Sequence, residues 1–152
     1  MKEIPISKIY EALSAIADKR VKKIDENQYL VISSDKSKAY TVILDGKIAS
    51  SNDNATYWQH YAGYPILACY LYEGKLDYDK KLLSYFENIP WKKLNVENKN
   101  NYDKSIEQAF KTVDKETMKR IEMETDHILR TFMTYDLTIK GNRKKQIENS
   151  LS

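Results

Sequence analysis

The spacing of apolar residues changes period within the first fifty positions. Ile9, Leu13 and Ile16 recur at near-helical intervals, so residues 6–19 are predicted to form an amphipathic helix that Ser7 is placed to cap. The period then drops to two. Residues 28–34 and 38–44 are rich in β-branched residues and tyrosine, and in the second run Tyr40, Val42 and Leu44 share one face. Asp35-Lys36-Ser37 reads as the turn between them. Asp45-Gly46 is a hairpin signal, because glycine takes a positive φ without steric cost, and residues 47–50 return from it. Residues 21–25 supply a further strand. The expected product is an antiparallel meander of three or four strands.

A polar cluster at 50–54 ends the meander, and residues 55–61 read as a short helix interrupted at Gly63-Tyr64. Pro65 suits the first position of a new helix, where its missing N–H costs nothing. Residues 66–72 are apolar on nearly every side, which predicts a central buried helix ended by Gly74. In the second half Asp77 is placed to cap a helix running to residue 88, with Leu82, Leu83, Phe86 and Ile89 inward, and Pro90 ends it. Trp91 is expected to anchor the turn that follows, with Lys92 and Lys93 facing water, and residues 95–101 read as a polar loop. Helices over 103–113 and 114–135 follow. The first has Ile106, Phe110 and Val113 on one stripe; the second has Met118, Ile121, Thr125, Ile128, Leu129 and Phe132 on its inner face. Leu137 and Ile139 continue the fold.

The pattern therefore predicts an α+β fold: an N-terminal helix, a small antiparallel β-meander packed on a central apolar helix, and a helical C-terminal half. No internal repeat or linker divides it. Residues 1–139 are expected to form one domain, with 1–76 carrying helix, meander and central helix and 77–139 the helical part. Residues 140–152 are expected to be a flexible basic tail whose removal after Ile139 changes stability little.

Composition changes this picture in two respects. The chain of 152 residues carries 25 Lys and Arg against 22 Asp and Glu. Four of the basic residues, Lys140, Arg143, Lys144 and Lys145, and one acid, Glu148, lie beyond residue 139, so residues 1–139 are formally neutral and the positive charge belongs to the tail. The single cysteine, Cys69, allows no intrachain disulfide, which fits a reducing compartment. Residues 1–8 lack the apolar stretch of a secretory signal, and the longest apolar run, 66–72, is far below the roughly 20 residues that span a bilayer. A cytoplasmic location and no membrane span are expected.

Candidate chemistry is sparse. Cys69 falls within the apolar run and is expected to behave as a small core residue. Glu124-Thr125-Asp126-His127 puts a carboxylate and an imidazole at i and i+3, as in di-iron bundles, but no second such pair exists; an exposed helix face carrying Asp126 and Arg130 is the expectation. No metal, cofactor or catalytic residue is implied. The densest feature is aromatic: Tyr57, Trp58, His60, Tyr61 and Tyr64. Such a cluster serves core packing, a protein hot spot, or stacking with single-stranded bases. The run Lys140, Arg143, Lys144 and Lys145 is the candidate phosphate contact, against a solvated tail.

The layout of residues 28–76 resembles a SWIM-type zinc-finger module: strand, strand, a polar turn, the spacer 52–62, then Gly63-Tyr64-Pro65-Ile66-Leu67-Ala68 at the start of an apolar helix. In that family a Cys-x-Cys pair and a Cys-x-His pair hold zinc. Here Ala49, Ser50 and Ser51 fall where the first pair belongs, and Gly63 and Pro65 where the second belongs. The resemblance thus implies a metal-free derivative in which packed aromatics replace the zinc staple, with DNA or protein as partner. Taken together, the expected function is a non-enzymatic protein-interaction module, binding a protein partner or itself. The alternative is a nucleic-acid-binding accessory protein using the aromatic surface and basic tail, and the second alternative an enzyme whose site is not visible in the sequence.

Overall fold

The computed structural model describes residues 1–148; the last four positions of the expected tail lie outside the described residues. Its elements run α1 (Ser7–Ala17), β1 (Val21–Lys23), β2 (Gln28–Ile32), β3 (Lys38–Asp45), β4 (Ile48–Ser51), α2 (Asn54–Gln59) and α3 (Tyr64–Tyr72). A 3-10 helix (Lys80–Phe86) follows, then α4 (Trp91–Glu97), α5 (Tyr102–Ala109), α6 (Lys115–Met133), β5 (Thr138–Gly141) and β6 (Ile147–Glu148). The fold is α+β, with the N-terminal helix and helical C-terminal half that the pattern predicts. No helix among the described residues is long and apolar enough to cross a membrane.

The sheet has the order β1-β2-β3-β4-β5, with β6 paired to β3. The first four strands form the expected meander; Val31 faces Tyr40 across β2 and β3, and Asp45 faces Ile48 across the hairpin. Gly46 takes φ +59° at that turn, the conformation its lack of a Cβ permits. Tyr29 and Val31 of β2 and Val42 and Leu44 of β3 are buried, as period two requires.

The α3 helix packs between the sheet and α1. Residues Ile66, Leu67, Ala68 and Cys69 are wholly buried, which explains why the helix has no polar face. The C-terminal helices cover α1 through an aromatic cluster in which Tyr10 stands 5.9 Å from Phe86, 6.3 Å from Trp91 and 5.5 Å from Phe110. The buried Trp91 donates its indole N–H to Ser14 Oγ at 2.8 Å. On α6 the residues Ile121, Thr125, Ile128 and Phe132 are buried, and Phe132 meets Tyr70 edge-on at 5.4 Å.

Four expectations are corrected. The helix expected over 77–88 is a shorter 3-10 helix, because Asp79 rather than Asp77 caps it, its Oδ1 accepting from Lys81 N at 2.9 Å. The expected loop at 95–101 begins inside α4, which forms because Trp91 at its first position is pinned in the core. The meander gains β5 as a parallel neighbour of β4, Ala49 facing Ile139.

The expected flexible tail is the fourth. Residues 140–148 lie along the sheet as an arm. Between the end of β4 and the start of β6, the backbone of Thr41 would lack a strand neighbour. Asn52 Oδ1 accepts from Thr41 N at 2.9 Å, and Asn142 Nδ2 donates to Thr41 O at 3.2 Å. Two side-chain amides thus stand in for ladder bonds. Asn52 Nδ2 also donates to Lys144 O at 2.8 Å, and Gln146 Nε2 to Asn52 O at 2.8 Å.

Truncation after Ile139 removes Asn142, Lys144 and Gln146 and leaves buried polar groups of Thr41 and Asn52 without these partners. At about 1–3 kcal/mol for such a loss and about 2–4 °C per kcal/mol for a chain of this size, the melting temperature is expected to fall by about 2–12 °C. An unchanged thermal melt by circular dichroism would return the arm to a solvated tail. A second test concerns the link between α2 and α3: a Cβ at Gly63 would stand 2.1 Å from Asp53 Oδ2. Gly63→Ala is expected to lose about 3 kcal/mol or more in urea unfolding; a loss below about 1 kcal/mol would mean that Asp53 moves aside freely.

Candidate functional site

The polar cluster at 50–54 is a folded junction as well as a turn. Asp53, buried at the N-cap of α2, accepts from Thr56 N at 3.1 Å and from Thr56 Oγ1 at 2.8 Å. Thr56 Oγ1 in turn accepts from Gly63 N at 3.0 Å. This buried knot ties β4, α2 and α3 together in the segment between the two pairs of positions where the resembled module would hold zinc. Hydrogen bonds hold that junction.

With α2 fixed this way, Tyr57 and Trp58 project from its outer side. Trp58 is 67% exposed and meets the Tyr57 ring edge-on at 4.7 Å. Gly141 at the end of β5 lies against Tyr57; a Cβ there would stand 2.9 Å from Tyr57 Cα. That close approach carries the arm past α2. Asn52, Asn54, Tyr57, Trp58, Asn142, Arg143, Lys144 and Gln146 together line an open groove of about 420 Å³. Its lining holds two exposed cations and no carboxylate. Among the described residues neither Arg143 nor Lys144 forms an ion pair, and Lys144 Nζ makes one long contact, 3.4 Å, to Gln28 Oε1.

Of the residues singled out in the sequence, Tyr57, Trp58, Arg143 and Lys144 come together here. Lys140 on β5 and Lys145 in the arm are exposed outside the groove lining. His60 is exposed in the left-handed C-cap of α2, at φ 62°. Tyr61 is buried in the core. Tyr64 is half-buried; it meets Tyr40 edge-on at 6.4 Å and lines a separate cavity. Sequence patterning missed Asn52, Asn142 and Gln146, whose roles are set by Thr41 and by one another. Their only signal was an unusual density of side-chain amides.

Cys69 is buried in α3, and burial pushes its thiol well up, so it stays protonated. Glu124 and His127 flank a shallow groove with Asp79 and Arg120, and burial pushes the Glu124 carboxyl up. Asp126 pairs with Arg130 at 2.9 Å along the same helix. No group of three or more His, Cys, Asp or Glu side chains among the described residues stands close enough to hold a metal.

No curated protein and no solved structure matches the chain. A family model described as uncharacterised conserved protein UCP014422 matches residues 1–138, taking in α2 and Trp58 and stopping before the basic arm, and the chain belongs to this family.

Proposed function

We propose that the protein binds single-stranded nucleic acid along the groove between α2 and the arm 142–146. The observation that carries this is the meeting of an exposed tryptophan with two exposed cations in a groove that no carboxylate lines. An indole offers a stacking face to any base, worth about 1–3 kcal/mol per base. Arg143 and Lys144 supply the charge that phosphates need, and Asn52, Asn142 and Gln146 hold the arm that carries them. A paired duplex hides its base faces, so a stacking site of this kind favours unpaired strands.

The choice over a protein partner rests on what surrounds Trp58. A protein hot spot is typically an aromatic anchor within a ring of contacts that excludes water. Here the neighbours are Asn54, Tyr57, Asn142, Arg143, Lys144 and Gln146, a largely polar and cationic rim. The buried knot at Asp53 and the SWIM-like layout agree with a small binding module that needs no zinc. A cytoplasmic setting, expected from the single cysteine, is compatible with such a partner.

The test is fluorescence anisotropy with labelled oligo(dT), as single strand and annealed to oligo(dA), over a range of salt. Trp58 is exposed, so Trp58→Ala is expected to leave the fold intact and to weaken single-strand binding about 5- to 150-fold. The double substitution Arg143→Gln and Lys144→Gln is expected to lower the slope of log K against log salt by about 1.4, from about 0.7 per phosphate contact. Equal affinity for duplex and single strand, or indifference to Trp58→Ala, would sink the proposal.

A further inference from the structure

The groove shares Asn54 with a second cavity of about 220 Å³. Its wall includes Lys8 and Glu11 from α1, Arg20 just beyond α1, Tyr40, Tyr64, and Asn95 from α4. Three of these are charged side chains more than nine-tenths buried: Lys8 at 7%, Glu11 at 6% and Arg20 at 4% exposure. A charge so far from water is retained only where something meets its hydrogen-bonding capacity.

The protein itself meets only part of it. Arg20 is held by one donor, Nη1, at 2.6 Å from Ile32 O. Its Nε and Nη2 have no hydrogen-bond partner; Asp18 Oδ2 stands 3.6 Å from Nε, beyond hydrogen-bond reach. Lys8 Nζ pairs with Glu11 Oε2 at 3.2 Å and sits 4.4 Å above the Tyr102 ring, yet Oε2 accepts no hydrogen bond in proper geometry. Asn95 Nδ2 reaches Glu11 Oε1 at 3.4 Å, while Asn95 Oδ1 has no partner. The residues of this wall therefore carry buried donors without a hydrogen bond in Arg20, whose Nε faces Asp18 at 3.6 Å, and a buried acceptor without one in Asn95 Oδ1, while Glu11 Oε2 meets only the Lys8 ammonium.

We infer that this cavity takes a nucleobase, and that its donor and acceptor pattern selects guanine. Guanine is the base that presents adjacent acceptors, O6 and N7, on one edge and adjacent donors, N1–H and the N2 amine, on another. A guanidinium bonds the first pair and carboxylate or amide oxygens the second. Tyr40 and Tyr64 supply apolar ring surface beside the base. Burial pushes the Tyr40 hydroxyl up to about 12 and raises Tyr64 as well, so both remain neutral. Asn54 on both rims lets a base of a strand lying in the groove turn inward. That continuity rests on the function proposed above, whereas recognition of the base itself does not.

The test is isothermal titration of the full chain with guanosine, inosine and adenosine 5′-monophosphates. Inosine differs from guanosine only in lacking the N2 amine. Guanosine monophosphate is expected to bind at least about tenfold tighter than inosine monophosphate, and tighter than the adenosine nucleotide. Asn95→Ala, on the half-buried face of α4, is expected to shrink the guanosine–inosine difference while keeping a normal thermal melt. Equal affinity for the three nucleotides, or no binding heat with any, overturns the inference and assigns these atoms to ordered water. Because oligo(dT) contains no guanine, its binding tests the groove alone. Groove binding without guanine preference would defeat the cavity proposal and leave the groove standing.

Discussion

Burial of α3 is the constraint from which the rest of the structure follows. A helix apolar around its whole circumference is stable in water only when covered on every side, and each fully buried large side chain contributes about 1.5–3 kcal/mol. The meander covers one side of α3 and α1 the other. Phe86, Trp91 and Phe110 from the second half of the chain cover α1 in turn through Tyr10, and Phe132 of α6 reaches Tyr70 of α3. Trp91 makes that closure specific, because its indole N–H must find an acceptor once buried, and Ser14 is positioned to supply one.

A second consequence concerns the sheet. Where β4 stops, Thr41 of β3 would present an amide and a carbonyl without a neighbouring strand. Asn52 and Asn142 fill that gap and so recruit the C-terminal arm. The groove arises from the same economy. The bonds that complete the sheet also bring Arg143 and Lys144 beside Trp58. Gly141 permits the arm to pass within contact of Tyr57, where any larger residue would push it away.

The interior charges at Lys8, Glu11 and Arg20 run against the usual preference for an apolar interior. Burial pushes the Glu11 carboxyl up despite the neighbouring lysine, so its charged form is held at a cost in desolvation. A fold selected for stability alone has no need of them, since a buried pair of this kind is often replaceable by apolar residues without loss. Their concentration on the wall of one cavity is what makes that cavity the strongest candidate for ligand recognition.

The sequence by itself determined the α+β class, the period-two strands, the Asp45-Gly46 hairpin and the burial of residues 66–71, Tyr72 being exposed. Each of these depends on residues close in the chain, whose turn chemistry and side-chain spacing act locally. Local spacing also identified Trp58 and the basic run as candidates, without any indication that they meet. Only the tertiary structure decided that residues 140–148 form an arm, that Tyr61 turns inward while Trp58 stays outside, and that Glu11, Arg20 and Asn95 share one cavity. The physical reason is the same in each case. Whether a polar group is exposed, paired or left unmet depends on which distant segment covers it, and that is settled by how the layers close over α3.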